Sequence, residues 1–369
     1  MTIDVTPRRP SPTSPTSGLR ADAGHEHVVI RQDAATGMRL AIAVHSTVLG
    51  PALGGLRLRA YPGGLPDALA DVLDLARTMT LKASAAGLDL GGGKAVMIDD
   101  GQGSLRRQRF EAAGDAIDAL GGAYITAEDI GTTTADMDVI ASRTPFVVGR
   151  SCARGGAGDP SPTTAATVHR ALLRALDATF GTTDLEGRRI GVVGLGKVGG
   201  VLAGRLAAAG AIVVAADLDA ERAERLADEH GIEPVPSAEA LIGAELDVLA
   251  PCAAGGMIDD AIAGALDCRI VCGAANNPLT SRDVARRLAA REILYVPDFL
   301  ANCGGLIHVD AERRGYRRAL VDAGVERAMA RLDSALAVAT AGDVTPLEAA
   351  ERDALERVAV AQSEAARAR

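Results

Sequence analysis

Two lysines, two adjacent acids and a glycine-rich turn are the residues of this chain whose types and spacing could do chemistry. Lys94 follows Gly91, Gly92 and Gly93 in LDLGGGKAVMIDD, residues 88 to 100. Each glycine gives up more backbone freedom on folding than any other residue. Such a run beside a strand has a use where backbone must crowd against a ligand with no side chains intervening, and here it delivers an amine. Lys82 lies near the C-terminal end of the preceding helix, at the margin of its apolar face. Taken alone, each lysine also reads as a solvated side chain. If both line one cleft, repulsion and desolvation would lower one amine's pKa toward neutrality, while the other stays charged and holds a carboxylate. Glu128 and Asp129, in ITAEDIG, stand at a strand end, where α/β domains place catalytic groups; capping the following TTADMD helix is the alternative use.

The glycine-rich turn is Gly194-x-Gly196-x-x-Gly199, with Lys197 and Val198 inside it. It follows an apolar strand, opens a helix and is answered by Asp217 at the end of the next strand, the full context of a dinucleotide-binding turn. The first glycine permits the tight turn, the second lets the pyrophosphate approach, and the third lets helix and strand pack. The helix N-terminus offers free N–H groups to the phosphates. Asp217 can accept both ribose hydroxyls and would repel a 2′-phosphate, which favours NAD over NADP. A nucleotide-free layer of the same fold would carry the same pattern. The six histidines fit no pattern, and His25 and His27 lack a third ligand, so no metal is expected.

These groups need elements to position them. HVVIRQD and MRLAIAVHS, separated by AATG, predict a hairpin. Residues 65 to 83 place Leu69, Val72, Leu73, Ala76, Met79, Thr80 and Ala83 on one helical face, with Asp67, Asp71 and Asp74 opposite. KAVMID and AYITAEDIG read as strands, RRQRFEAAGDAIDAL and TTADMDVIAS as helices. After the Gly/Ser/Pro-rich stretch 151–166, a candidate hinge, comes a helix from about Thr163 to Thr179. The strand–turn–helix–strand of the glycine motif follows it, with further strands at LDVLAP, CRIVCGAA and ILYVPDF. TPLE at 345–348 is a capping box opening the last helix.

The chain's 369 residues exceed one ordinary core. A hydrophobic fraction of 48% with only 2% aromatics suits helices packed on buried parallel strands. A net charge of −9 argues against a general binder of nucleic acid or membrane surfaces. The five cysteines form no CxxC pair or disulfide framework, no apolar run is long enough to span a membrane, and no secretion signal is expected behind Arg8-Arg9, so the chain reads as cytoplasmic. The expected fold is α/β in two domains separated by a cleft that closes on ligand: a disordered tail over 1–24, a substrate-binding and oligomerisation domain over 25–153 plus about 336–369, and an NAD-binding Rossmann domain over 154–335.

GPALGGLR, MTLKASAAGLDLGGGKAV, YITAEDIGTTTADMDVIA, GLGKVGG, APCAAGG, GAANN and LYVPDFLANCGG occur in this order across residues 50 to 305. Together they resemble the leucine/valine/phenylalanine dehydrogenases, relatives of glutamate dehydrogenase. The resemblance implies that Lys94 is the catalytic amine assisting water, that Lys82 binds the substrate carboxylate, and that Asp129 exchanges protons with the substrate amine. It further implies that Gly55 borders the substrate, that Asn276 lies where substrate meets nicotinamide, and that Thr164 binds the carboxamide. The implied reaction converts an L-amino acid, water and NAD⁺ to a 2-oxo acid, ammonia and NADH in a homo-oligomer. Leu56, where threonine is expected, and Cys303, in place of the alanine of NAGG, leave the side-chain preference open. ITAEDIGTT and AGLDLGGGKAV read as leucine/valine-like, whereas CARGGAG and ANCGGLIH lean toward L-phenylalanine. Two other classes compete. One is a catalytically idle NAD-binding regulator, against which the joint presence of Lys82, Lys94 and Asp129 speaks. The other is a 2-hydroxy-acid dehydrogenase, for which His308 alone offers no His–acid pattern.

Overall fold

The computed structural model describes residues 24–101 and 103–367. The tail read over 1–24 lies outside them, apart from Gly24. The described chain divides into two compact units: residues 24–160 with Leu306–Gly324 and 353–367, and Ser161–Gly305 with Val325–Arg352.

In the first unit five strands are ordered β1-β2-β4-β3-β5. β1 (His27–Asp33) and β2 (Met38–Ser46) form the predicted hairpin, with His27 opposite Val44 and Asp33 opposite Met38. β4 (Gly91–Ile98) runs antiparallel to β2 and parallel to β3 (Ala52–Arg59), and β5 (Tyr124–Glu128) lies parallel to β3 on the far side. Alternation of side chains across the pleat divides the apolar residues between two cores. Ala52, Leu56, Ala95 and Met97 pack with Phe110, Ile117, Tyr124, Met137 and Ile140, contributed in part by α2 (Arg106–Asp118) and α3 (Thr134–Ile140). Val96 and Ile98 pack on the other face with Ala68, Leu69, Val72 and Ala76 of α1 (Leu65–Ala85).

The predicted face of α1 is buried at Leu69, Val72, Ala76, Thr80 and Ala83. One assignment is corrected: Asp71, read as part of the solvated face, is half-buried and paired with an arginine of β3. The capping role offered to Glu128 and Asp129 is filled by Thr133 instead. Its hydroxyl accepts the Asp136 N–H at 3.3 Å while the Asp136 carboxylate accepts the Thr133 N–H at 2.8 Å, so α3 leaves the two upstream acids for other work.

The second unit is a six-stranded parallel sheet built from β6 (Arg189–Val193), β7 (Ile212–Ala216), β8 (Glu233–Pro234), β9 (Val248–Pro251), β10 (Ile270–Val271) and β11 (Leu294–Tyr295), ordered β8-β7-β6-β9-β10-β11. The chain works outward from β6 to one edge, then returns to continue from β9 in the other direction. That reversal creates the switch-point crevice where such sheets bind ligands. α4 (Ser161–Phe180) precedes β6, α5 (Lys197–Ala208) leaves its C-terminal end, and α6 (Ala220–His230) follows β7. The TPLE capping box forms as predicted, the Glu348 carboxylate accepting the Thr345 N–H at 2.8 Å and the Thr345 hydroxyl accepting the Glu348 N–H at 3.2 Å. Among the described residues no helix is long and apolar enough to cross a membrane.

Candidate active site

The glycines before Lys94 do not flank a strand; they begin one. All eight residues of β4 are buried. A Cβ on Gly91 would lie 1.8 Å from the Ser46 carbonyl oxygen, one on Gly92 2.1 Å from the Thr80 nitrogen of α1, and one on Gly93 2.6 Å from the Tyr124 ring. The space each glycine leaves is filled by protein, which corrects the expectation that it is left for a ligand. Gly54 and Gly55 act likewise on β3: a Cβ on the first would meet the Gly93 carbonyl at 1.8 Å, and one on the second the Asp129 Cβ at 2.8 Å. Gly55 therefore borders Asp129. These five glycines draw α1, β3 and the end of β5 tightly around one position on β4.

That position is Lys94. It shares a face with Gly92, Val96 and Ile98, toward α1, and is only 5% exposed. Its Nζ lies 3.1 Å from Asp129 Oδ2. The same oxygen accepts a hydrogen bond from Arg57 Nε at 2.8 Å. Arg57 Nη1 reaches Asp71 Oδ2 at 3.1 Å, and the Tyr61 hydroxyl donates to that oxygen at 2.5 Å. Charges thus alternate from Lys94 to Asp129, Arg57 and Asp71, ending on a neutral phenol. Burial lowers the Lys94 pKa from 10.5 against the pull of Asp129, and the Arg57 charge adds to the lowering. Burial would raise Asp129, but the Lys94 and Arg57 cations together outweigh it and hold the carboxyl below 3.8. Burial and the Asp71 hydrogen bond push the Tyr61 phenol up.

Lys82 is half-buried near the end of α1, two residues beyond the Thr80 that Gly92 packs against. Leu56 points away from Lys94 into the opposite core. Arg57 and Tyr61 went unread in the sequence, and Asp71 was read only as part of a solvated face. An arginine on a strand carries no spacing signal, and its partners lie 72 and 14 positions away.

In the second unit, Gly194 has φ 95°, the tight turn assigned to it. A Cβ on Gly199 would meet the Gly194 carbonyl at 1.9 Å and the Cys252 Cβ at 2.9 Å, whereas one on Gly196 would meet nothing within 4 Å. Gly196 and Lys197 are exposed and Val198 is half-buried, at the start of α5. An exposed helix N-terminus whose central glycine faces open space fits a dinucleotide pyrophosphate. The Asp217 carboxylate accepts the Leu195 N–H at 2.5 Å, the Asp219 N–H at 2.8 Å and Arg222 Nη1 at 3.2 Å. It is held against the loop, which lowers its pKa despite burial. Thr164 is half-buried in the first turn of α4. Asn276 is exposed, and its Oδ1 accepts from Asn302 Nδ2 at 3.1 Å; Asn302 Nδ2 also reaches the Ala274 carbonyl at 3.1 Å. Asn302 was not singled out in the sequence, although it stands beside Cys303 in ANCGG. Cys303 is buried, its thiol on the Leu300 carbonyl at 3.1 Å. The structure therefore gathers Lys94, Asp129 and Gly55 in one unit and gathers the glycine loop with Asp217 in the other, where Thr164 and Asn276 also lie.

Residues 25–145 match the family profile for the Glu/Leu/Phe/Val dehydrogenase dimerisation domain, and residues 216–365 that for Glutamate/Leucine/Phenylalanine/Valine dehydrogenase. Valine dehydrogenase of Streptomyces virginiae is 43% identical over 92% of this chain and 95% of its own. Leucine dehydrogenase of Thermoactinomyces intermedius is 40% identical over 90% of this chain and 91% of its own. The crystal structure of L-tryptophan dehydrogenase from Nostoc punctiforme superimposes with a TM-score of 0.79 at 32% identity, covering 92% of this chain and 98% of that one. With both profiles matched and identity this high over nearly the full length, the chain belongs to the Glu/Leu/Phe/Val dehydrogenase family and is an amino-acid dehydrogenase.

Proposed function

We propose that this chain catalyses the NAD-dependent, reversible oxidative deamination of branched-chain L-amino acids, of the valine and leucine kind, to the 2-oxo acid and ammonia. The observation that carries this reading is the buried Lys94 amine, 3.1 Å from the half-buried Asp129 carboxylate and pushed toward its neutral form by burial. A solvated structural lysine has no such surroundings. The valine and leucine dehydrogenases among its relatives favour aliphatic substrates. Leu56, which left the side-chain preference open, packs into the core opposite Lys94 and so does not choose between aliphatic and aromatic substrates there.

In this reading Lys82 holds the substrate carboxylate by its charge, and Asp129 takes a proton from the substrate ammonium, freeing the nitrogen lone pair. Gly194, Gly196, Lys197, Val198 and Gly199 would hold the dinucleotide, with Asp217 for the ribose and Thr164 and Asn276 for the carboxamide, and the bound cofactor would supply the acceptor for a hydride from Cα. Neutral Lys94 then takes a proton from water as its oxygen bonds to the imine carbon. Asp129 returns its proton to nitrogen, the C–N bond breaks to release ammonia, and the hydroxyl proton passes back to Asp129 as the oxo group forms. A general base of this kind is worth roughly 10²–10⁴ in rate.

The first unit serves here as substrate and oligomerisation domain and the second as NAD-binding domain. Homo-oligomers, at least dimers, are expected. β1 is an edge strand exposing Val28 and Ile30, and such an edge needs cover. Five cysteines without a disulfide suit the cytoplasm. NADH formation with a panel of L-amino acids, beside the matching 2-hydroxy acids, tests the function. Turnover of valine and leucine above phenylalanine is expected; turnover of hydroxy acids alone would contradict it.

A further inference from the structure

Asp129 offers one oxygen to two cations. Lys94 Nζ and Arg57 Nε both contact Oδ2, at 3.1 and 2.8 Å. Arg57 is charged at any working pH, so its share of that oxygen does not vary. It is held on its other side by Asp71, itself gripped by the Tyr61 hydroxyl. A lone Lys–Asp pair buried this deeply would lock both charges, because each ion stabilises the other in a medium of low polarity. A lysine locked as ammonium is no base.

We propose that Arg57 is a positioning residue for the reaction: it fixes the Asp129 carboxylate against Lys94 and, by sharing its oxygen, leaves Lys94 able to give up its proton, with Asp71 setting how strongly. This rests on the reading of Lys94 as the base. Asp129 beyond β5, Arg57 on β3 and Asp71 on α1 act on the Lys94 charge. On β2 its register partner is Ala43, which carries no charge. His45, two residues further on, is bound to Thr80 and held neutral by burial, its pKa lowered to about 4. Lys82 is the cation near the C-terminal end of α1. Two substitutions then act in opposite senses. Arg57→Met gives Asp129 wholly to Lys94 and removes a neighbouring positive charge, so the ammonium is stabilised. Asp71→Asn leaves the Arg57 charge uncompensated, so the ammonium is destabilised.

Only three of the chain's 39 Lys and Arg residues are lysine: Lys82, Lys94 and Lys197. Lysine side chains labelled with ¹³C at Cε therefore give three resonances in the full-length protein, and the one missing from Lys94→Ala is Lys94. Its titration midpoint should rise by about one pH unit in Arg57→Met and fall by roughly half a unit or more in Asp71→Asn. Arg57→Lys, which adds a fourth resonance and is assigned against the double variant Arg57→Lys/Lys94→Ala, should bring it back toward wild type without restoring kcat, since a point charge does not bridge Asp129 and Asp71 as a guanidinium does. The acid limb of log(kcat/KM) against pH should move with the resonance. A merely structural arginine would lower activity in both variants without moving the midpoint in opposite directions. A Lys94 midpoint unchanged in both, or moved the same way in both, overturns the inference. A resonance that moves as stated while the kinetic limb stays put leaves the ladder's hold on Lys94 standing and overturns the base assignment instead.

Discussion

Glycine runs precede both Lys94 and Lys197, and they serve opposite purposes. In β4 every missing side chain is replaced by protein: the Ser46 carbonyl, the backbone of α1 and the Tyr124 ring press into the gaps. In the dinucleotide turn only the outer two glycines are packed, Gly194 against Ala253 and Gly199 against the Gly194 carbonyl and Cys252, while Gly196 faces open space. The first run packs protein closely around an amine whose pKa burial lowers. The second leaves open space at a helix N-terminus. A run of glycines in a sequence is thus a statement about close approach, and only the fold says what approaches.

The comparison can be broken most severely at the lysines. Lys94→Ala should lower kcat by about 10²–10⁴ or more, while NADH affinity, followed by its fluorescence, stays within about twofold. A parallel loss of NADH binding would mean that the two regions do not work separately. Lys82→Ala should instead raise KM for the amino acid by about 10–100-fold, the loss expected of a charge-assisted hydrogen bond. Should KM stay put while kcat collapses, Lys82 is not the carboxylate binder.

The glycines give smaller and sharper effects. Gly92→Ala forces a methyl group to within 2.1 Å of the Thr80 nitrogen, and should destabilise the fold by about 2–3 kcal/mol, as overpacking does. Gly196→Ala should change stability by no more than about 0.5 kcal/mol and weaken NADH binding about tenfold or more. Thermal melts and NADH titrations of the two variants test this directly, and matching behaviour of the pair would refute the contrast. Least in size is cofactor preference. Wild type should favour NAD over NADP in kcat/KM, and Asp217→Ala should narrow the gap by roughly tenfold through loss of a carboxylate that repels a 2′-phosphate. Equal use of both cofactors by wild type would remove Asp217 from that role.

Much of this was legible in the residues because it is local. The β-rich run MRLAIAVHS marked β2, the spacing of Leu69, Val72, Ala76 and Thr80 marked the buried face of α1, and TPLE closed on itself as a capping box. Gly194 to Asp217 carried its own context of strand, turn, helix and strand. What stayed hidden was long-range. Asp71 keeps the helical phase of a solvated residue and becomes a half-buried ion-pair partner only because β3 brings Arg57 to it. GPALGGLRLR was not read as a strand at all, so nothing told which face Leu56 would take; β3 sends it to the core while Arg57 goes to the site. The empty sides of Gly91 to Gly93 could have met a ligand or the protein, and only the packing of α1 and Tyr124 decides.

The central claim is that Lys94 works because its burial lets it lose a proton. Burial lowers its pKa from 10.5, so the neutral base should accumulate, and kcat/KM for L-valine or L-leucine should rise with pH, along a limb whose midpoint lies below 10.5. One pH series of kcat/KM for the wild type and Lys94→Ala decides it. The limb should be present in the first and absent from the residual activity of the second. A limb that survives unchanged in Lys94→Ala would show that another group titrates and that Lys94 is not the base.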